Sequence, residues 1–320
     1  MQRLRVWHFT DPGCPWAYSA WPAFSTLRWR YGDQLEWRLV LIGLTETAEQ
    51  YVRRGYTPLG AARGQRRFRR WGMPLGAEVK PRVAATGRAC RALVAVRRQA
   101  PERLDHALRA LQFLQFTTAG VLDDEDDVRA ALATVDGLDA DAIVAALDDP
   151  EVAADYEADR RLARAAEGSP TEFQGKAART DGPVRYTAPS LIFERPDGMR
   201  LEAGGFQPIE AYDVLIANLD RSLARRPAPE DPLAALDEAP HGLTTAEVAA
   251  IMRDGNEPAD PVAAEDALIG LVAEGTAIRE PLGGGSLWRS ARYADAPASR
   301  RRASSVAAAN GVTPAPAASS

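Results

Sequence analysis

The chain has 320 residues, 46% of them hydrophobic, and a formal net charge of −5. That length supports one large or two ordinary domains with real cores, and no apolar run approaches the roughly 18 residues of a membrane span. Two cysteines, Cys14 and Cys90, exclude a disulfide framework, and three scattered histidines, His8, His106 and His241, lack metal-ligand spacing, so no metal is expected.

The start, Met1 to Val6, has neither an apolar h-region nor a small-residue cleavage site, so no signal peptide is expected and a cytoplasmic, soluble protein is. Lys80 and Lys176 are the only lysines among many arginines, which fits a GC-rich genome such as an actinobacterium's. The short run Leu4 to Gly13 reads as an extended N-terminal segment that leads directly into Cys14-Pro15-Trp16-Ala17. Pro15 suits the first helical position, where its fixed φ fits and its missing N–H would be unpaired anyway. Cys14 then caps the helix it opens, where free N–H groups and the positive end of the macrodipole favour a thiolate. A reactive Cys14 of lowered pKa is the expectation; the alternative is a buried, inert cysteine at a strand end.

Pro22 should kink the first helix, which ends near Tyr31-Gly32-Asp33. Leu35 to Ile42 alternates and then turns continuously apolar, as a buried parallel strand does. From about Thr47 to Gly182 the pattern is helical, with helices expected at Pro58–Trp71, Pro81–Gln99, Pro101–Phe116, Asp126–Val135, Ala140–Leu147 and Glu151–Ala166. Thr187-Ala188-Pro189-Ser190 precedes the strand Leu191–Glu194, Arg195-Pro196-Asp197-Gly198 reads as a hairpin turn, Met199 to Ala203 as its second strand, and Gly204 to Pro208 opens a final helix.

Cys14-Pro15-Trp16-Ala17 between strand and helix, followed by Thr187-Ala188-Pro189, resembles the DsbA family of the thioredoxin superfamily, in particular its FrnE-like and 2-hydroxychromene-2-carboxylate isomerase branches. The resemblance spans roughly residues 1–226. It implies an α/β thioredoxin fold with a helical insertion at about 47–182, a cis-proline loop facing the thiol, and a thiol or thiol compound held by Thr187, Ala188 and Pro189 beside Cys14. Asp11, Pro15, Trp16, Ala17 and Tyr18 would form the active-site loop. One departure stands out: Ala17 occupies the place of the second, resolving cysteine. Without it Cys14 cannot run an intramolecular dithiol cycle, and monothiol chemistry with an external thiol remains. Trp16 replaces the histidine of the more oxidising members, and His8, two residues before the loop, is either a thiol-polarising group or a core residue. Cys90, in a helix interior, reads as core packing.

Beyond a proline-rich linker at 227–232, three helices (Leu233–Ala239, Thr244–Arg253, Val262–Glu274) precede two strands around Gly283-Gly284-Gly285, which resembles a small winged-helix-like α+β domain at 233–293. The tail at 294–320, rich in Ala, Ser, Pro and Arg, is expected to be disordered. Arg53 to Arg103 carries 14 basic residues against two acids, a net of +12, whereas Glu230 to Tyr293 carries 12 acids against four arginines, a net of −8. So acidic a domain is a poor DNA reader, since DNA affinity rests on cationic side chains displacing counterions. Docking of the acidic domain on the basic insertion, screened by salt, is expected instead. The cluster Arg66-Arg67-Phe68-Arg69-Arg70-Trp71 reads as a solvated face or an anion-binding one.

These readings converge on a thiol-disulfide oxidoreductase acting through Cys14 with a low-molecular-weight thiol, mycothiol or glutathione, as co-substrate and no tightly bound cofactor. Two alternatives stay open. One is an enzyme of kappa-class glutathione-transferase or hydroxychromene-isomerase type, in which a single residue activates a bound thiol. The other is a non-catalytic binding or regulatory protein. Neither substrate nor oligomeric state is legible.

Overall fold

The N-terminal apolar run forms β1 (Leu4–Thr10), and the loop after it enters α1 (Pro15–Ser19) and α2 (Trp21–Tyr31). The kink expected at Pro22 is a full break: Ala20 closes α1 and opens α2, and Pro22 takes an early position of the new helix, where no N–H is required of it. β2 (Leu35–Leu41) pairs parallel with β1, from Leu4 with Leu35 to Thr10 with Leu41. The computed structural model describes residues 3–180, 182–255 and 257–294. All but the first residue of the tail at 294–320 lies outside the described residues.

Between the halves of the sheet come α3 (Ala48–Arg53), α4 (Pro58–Gln65), a 3-10 turn at Arg66–Trp71, α5 (Gly87–Gln99), α6 (Leu104–Thr117), α7 (Glu125–Leu132), α8 (Ala140–Ala145), α9 (Pro150–Ala163) and α10 (Pro170–Phe173). Two expectations need correcting. The helix expected from Pro81 begins only at Gly87, because the preceding strap is tied outward: Ala85 N–H donates to Asp123 (2.7 Å), and Thr86 and Gly87 N–H to Thr45 O. The helix expected at Pro58–Trp71 tightens to 3-10 geometry at Arg66, the usual way a last turn closes. The sequence reading also passed over α3, α10 and the two-residue ribbon β3 (Ala177–Ala178) with β4 (Arg185–Tyr186), which are too short to show a period.

β5 (Ser190–Glu194) and β6 (Arg200–Ala203) form a hairpin across the Arg195–Gly198 turn, and α11 (Ile209–Leu219) packs back on them. Gly198 adopts φ 86°, the left-handed turn conformation glycine takes without penalty. The sheet order is β2-β1-β5-β6, with β1 parallel to β2 and β5 antiparallel to both neighbours. The period-2 alternation of β1 divides the core. Val6 and His8 face α2, among Phe24, Leu27 and Trp37, while Phe9 faces Val40, Ile42, Ile192 and Tyr186 on the Cys14 side.

The C-terminal unit comprises α12 (Pro232–Asp237), β7 (Leu243–Thr244), α13 (Thr245–Met252), α14 (Pro261–Ala273), β8 (Ala277–Leu282) and β9 (Gly285–Ser290), with sheet order β7-β9-β8. Its small core gathers Leu236, Val248, Leu268 and Trp288 and takes in Trp29 of α2. α13 lies along α2, and Glu247, within the Thr244 capping box, pairs bidentately with Arg109 of α6 (2.6 and 2.9 Å) while accepting Ser25 Oγ–H (2.7 Å). Burial opposes the Glu247 charge, yet the Arg109 guanidinium overrides it and holds the carboxyl below its ordinary range. The unit docks on α2, on Arg109 of the helical insertion and on residues 72–76 within the basic stretch Arg53–Arg103, so contact with the insertion is as expected. What needs correcting is its salt-screened character, because the ion pair is only 2% and 0% exposed, where screening ions do not reach. Among the described residues no helix is long and apolar enough to cross a membrane.

Candidate active site

Cys14 sits at the N-cap of α1 in extended geometry (φ −86°, ψ 116°), directly after β1, with Pro15 as the first helical residue. Its Sγ–H donates to the carbonyl of Ala188, 3.1 Å away. The Ala188–Pro189 peptide is cis. Ser190 braces this loop, its Oγ donating to Thr187 O (2.7 Å) and accepting Gly205 N–H (3.0 Å), and Thr187 Oγ1 donates to Lys176 O (2.8 Å). The structure thus brings together Cys14 and Ala188, at opposite ends of the sheet sequence, because β1 and β5 are neighbours.

Asp11 works behind the loop. Fully buried, it accepts Gly13 N–H (2.8 Å), Leu44 N–H (2.8 Å), Thr86 Oγ1–H (2.9 Å) and the Cys90 thiol (3.6 Å). Burial pushes its carboxyl up and these donors pull it back. Gly13 leaves no room for a side chain, since a Cβ would stand 2.5 Å from Thr86 Cγ2. Thr86 and Leu44 were not foreseen. Only the cross-chain contact reveals them, with no local signal beyond a Thr before a helix.

The expectation of a lowered Cys14 pKa is corrected. Burial pushes the thiol up to about 12. The Ala17 and Trp16 N–H groups and Arg185 pull it down, and the Asp11 carboxylate adds to the rise. A five-residue α1 supplies too few aligned peptides to outweigh desolvation. The resting thiol is therefore neutral and serves as a hydrogen-bond donor.

Tyr18, expected to flank the site, and His8, read as either a thiol-polarising group or a core residue, both turn away from Cys14, and His8 takes the core reading. Tyr18 does not border the site. It is 1% exposed, stacks on Phe116 (centroids 4.7 Å apart) and donates its hydroxyl to Pro74 O (2.7 Å). His8 does not polarise the thiol. It is edge-on to Phe24 (4.8 Å) and Trp37 (6.0 Å) on the opposite side of β1, and burial holds it neutral with a pKa of about 3. Cys90 is wholly buried, with burial pushing its thiol well above the ordinary value, and both cysteines are free. Ala17, 1% exposed, packs with Cys14 and Ala188.

Gly13, Pro15 and Trp16, around Cys14, line a cleft of about 750 Å³. Trp16 is 38% exposed and packs against Phe68 (4.9 Å), Phe206 (5.4 Å) and Trp71 (6.2 Å), so the Arg66–Trp71 cluster supplies Phe68 to the cleft wall and Trp71 behind it, not merely a solvated face. Tyr51 and Tyr56 form another part of the lining, and Arg54, Arg67 and Arg70 add positive charge. Phe206, a lone aromatic after two glycines, was legible only as a loop residue.

Residues 5–183 match the family model described as a DSBA-like thioredoxin domain, a match that ends before Pro189. A protein from Nitrosomonas europaea, described provisionally as a protein disulfide isomerase, is similar in structure with 18% identity and a TM-score of 0.52, over 68% of this chain and 97% of its own. The cytosolic disulfide reductase DsbM from Pseudomonas aeruginosa shares 20% identity at a TM-score of 0.46, over 68% of this chain and 98% of its own. No curated protein matches the chain.

Proposed function

The chain belongs to the DSBA-like thioredoxin domain family, and from that premise we propose that it is a thiol-disulfide oxidoreductase working through Cys14 alone with an external low-molecular-weight thiol. The observation that carries the reading is the Cys14 thiol held against Ala188 O at the edge of an open cleft, with Ala17 beside it and Cys90 sealed behind Asp11. In the first step the Cys14 thiolate attacks one sulfur of a disulfide R–S–S–R′. The S–S bond breaks, Cys14–S–S–R forms and R′–S⁻ leaves and takes up a proton. In the second, an external thiolate attacks the R sulfur of the mixed disulfide, releasing the Cys14 thiolate and leaving a disulfide between R and the external thiol. The Cys14 proton passes to solvent when an entering ligand displaces the Ala188 contact, and the Trp16 and Ala17 N–H groups are placed to receive the thiolate charge.

Arg54, Arg67 and Arg70 favour a thiol that carries carboxylates, so glutathione fits the cleft better than the uncharged mycothiol. The reading places the protein in the cytoplasm and gives Thr187 and Pro189 the role of docking the incoming thiol compound. A second reading is favoured by one observation, the neutral Cys14 thiol: as a hydrogen-bond donor it would hold a bound thiolate for transferase- or isomerase-type chemistry. Reduction of hydroxyethyl disulfide by glutathione separates the two. The oxidoreductase reading expects turnover that Cys14→Ser abolishes, and turnover surviving in Cys14→Ser contradicts it.

A further inference from the structure

We propose that the C-terminal unit is an intramolecular clamp that sets the aromatic wall of the Cys14 cleft. That wall is Trp16 and Phe68, packed together and backed by Trp71, which packs on Trp16 and on Phe206 (4.6 Å). The chain leaves the wall directly into residues 72–76, and the C-terminal unit touches that segment repeatedly. Gly72 (φ 81°) lies so close to α13 that a Cβ would stand 2.9 Å from Ala246 Cβ. Thr244 Oγ1 is 3.4 Å from Met73 Sδ, and Gly284 N–H donates to Leu75 O (3.0 Å). Gly283, at the tip of the β8–β9 hairpin with φ 53°, faces Gly76 N and Leu75 C, where a Cβ would sit 3.0 and 3.1 Å away. From the opposite side Tyr18 donates to Pro74 O, and Gly76 N–H to Phe116 O (2.8 Å).

Residues 72–76 are thus gripped between the thioredoxin body and the hairpin tip, and two glycines at that tip permit an approach no other residue allows. The grip matters because residues 72–86 form no helix or strand. Ordering each such residue costs backbone entropy, and an aromatic contact of the wall returns no more than about one residue's worth of it beyond its burial. The wall therefore needs its anchors, and those anchors include the C-terminal unit. The consequence for Cys14 reactivity rests on the functional reading above; the clamp itself does not.

Gly283→Val tests the clamp in the full-length chain, since a branched side chain at that φ and spacing cannot keep the contact. With far-UV circular dichroism unchanged, amide hydrogen exchange in 66–76 should rise about tenfold, as a locally opened segment's does. Alkylation of Cys14 by iodoacetamide should accelerate by a similar factor. Gly72→Ala, pressing from the other side, should act in the same direction, and Ile269→Ser, on the exposed face of α14, should change neither. Unchanged exchange at 66–76 while peptides over 279–287 report a displaced hairpin would overturn the clamp. Faster exchange without faster alkylation would uphold the clamp and overturn its consequence for Cys14. If Cys14 in the natural protein does not react ahead of Cys90, the functional reading fails, and exchange at 66–76 still decides the clamp.

Discussion

The Cys90 thiol lies 3.6 Å from Asp11 Oδ2, on the inner side of the loop whose outer end carries Cys14. The two cysteines therefore share a carboxylate neighbour yet have unlike surroundings. Cys90 is 0% exposed and locked among Asp11, Tyr156 and the body of α5, whereas Cys14, 7% exposed, lies beside an open cleft. Asp11 fixes the loop from beneath, and Ala188 fixes the sulfur from above.

Alkylation should read this asymmetry. Because burial raises both thiols, neither reacts at neutral pH as fast as a free cysteine, and the Cys14 rate should climb about tenfold per pH unit toward a pKa of about 12. Cys90 should be labelled only on unfolding. A Cys14 rate that levels off near pH 7 would contradict the neutral resting thiol.

Asp11→Asn removes a charge that raises the Cys14 pKa, so Cys14 should alkylate faster at fixed pH even as stability drops. The lost or weakened hydrogen bonds to Gly13, Leu44 and Thr86 should cost about 1–3 kcal/mol in denaturant unfolding. A purely structural role would lower stability without shifting the pH–rate profile downward.

Ala17→Cys restores the missing thiol at the helix start, where Ala17 packs with Cys14. The variant should form an intramolecular disulfide and reduce insulin, while the natural protein shows little of either. Equal activity of the two would point to a resolving group already present in the natural chain.

Glu247→Ala should destabilise the protein by about 3–5 kcal/mol, the cost of leaving the Arg109 charge buried without its partner. Raising salt should not mimic the effect. A change under 1 kcal/mol in the urea midpoint analysis would show that Arg109 finds water or another acceptor.

Acid should loosen the same interface. His106 of α6 and His241 of the C-terminal unit face each other with ring centroids 4.6 Å apart. Burial holds His106 at about 4 and His241 well below 6.5, with Arg109 and Arg28 adding to the fall in both and Asp105 opposing it in His106. In the unfolded chain both take up protons near 6.5, so the unfolded state binds more protons between about 6.5 and 4. Stability should be full above pH 6.5 and decline as pH falls through that window, read as a falling urea midpoint. His106→Gln should flatten the decline.

The backbone plan was legible because it is written locally. Cys14-Pro15 marks a strand-to-helix turn, Thr187-Ala188-Pro189 precedes an apolar strand, and Arg195–Gly198 is a turn by composition. The errors came where tertiary context decides. A break at Ala20 leaves too short a helix to depress the thiol pKa against burial. Tyr18 and Trp16 are two residues apart on one helix, yet one is core and the other cleft wall, a division set by Phe116 and Phe68 far along the chain. The Glu247–Arg109 pair was hidden by charge counting, because net charge over a stretch says nothing about which single pair is buried.

The central claim, one reactive cysteine served by an external thiol, is tested most directly by incubating the native protein with glutathione disulfide and mapping the products by mass spectrometry without reduction. The account predicts a single glutathione adduct, on Cys14, that added glutathione removes, with Cys90 left as a free thiol. A Cys14–Cys90 disulfide, or a Cys14 that takes up no glutathione while the protein stays folded, would contradict it.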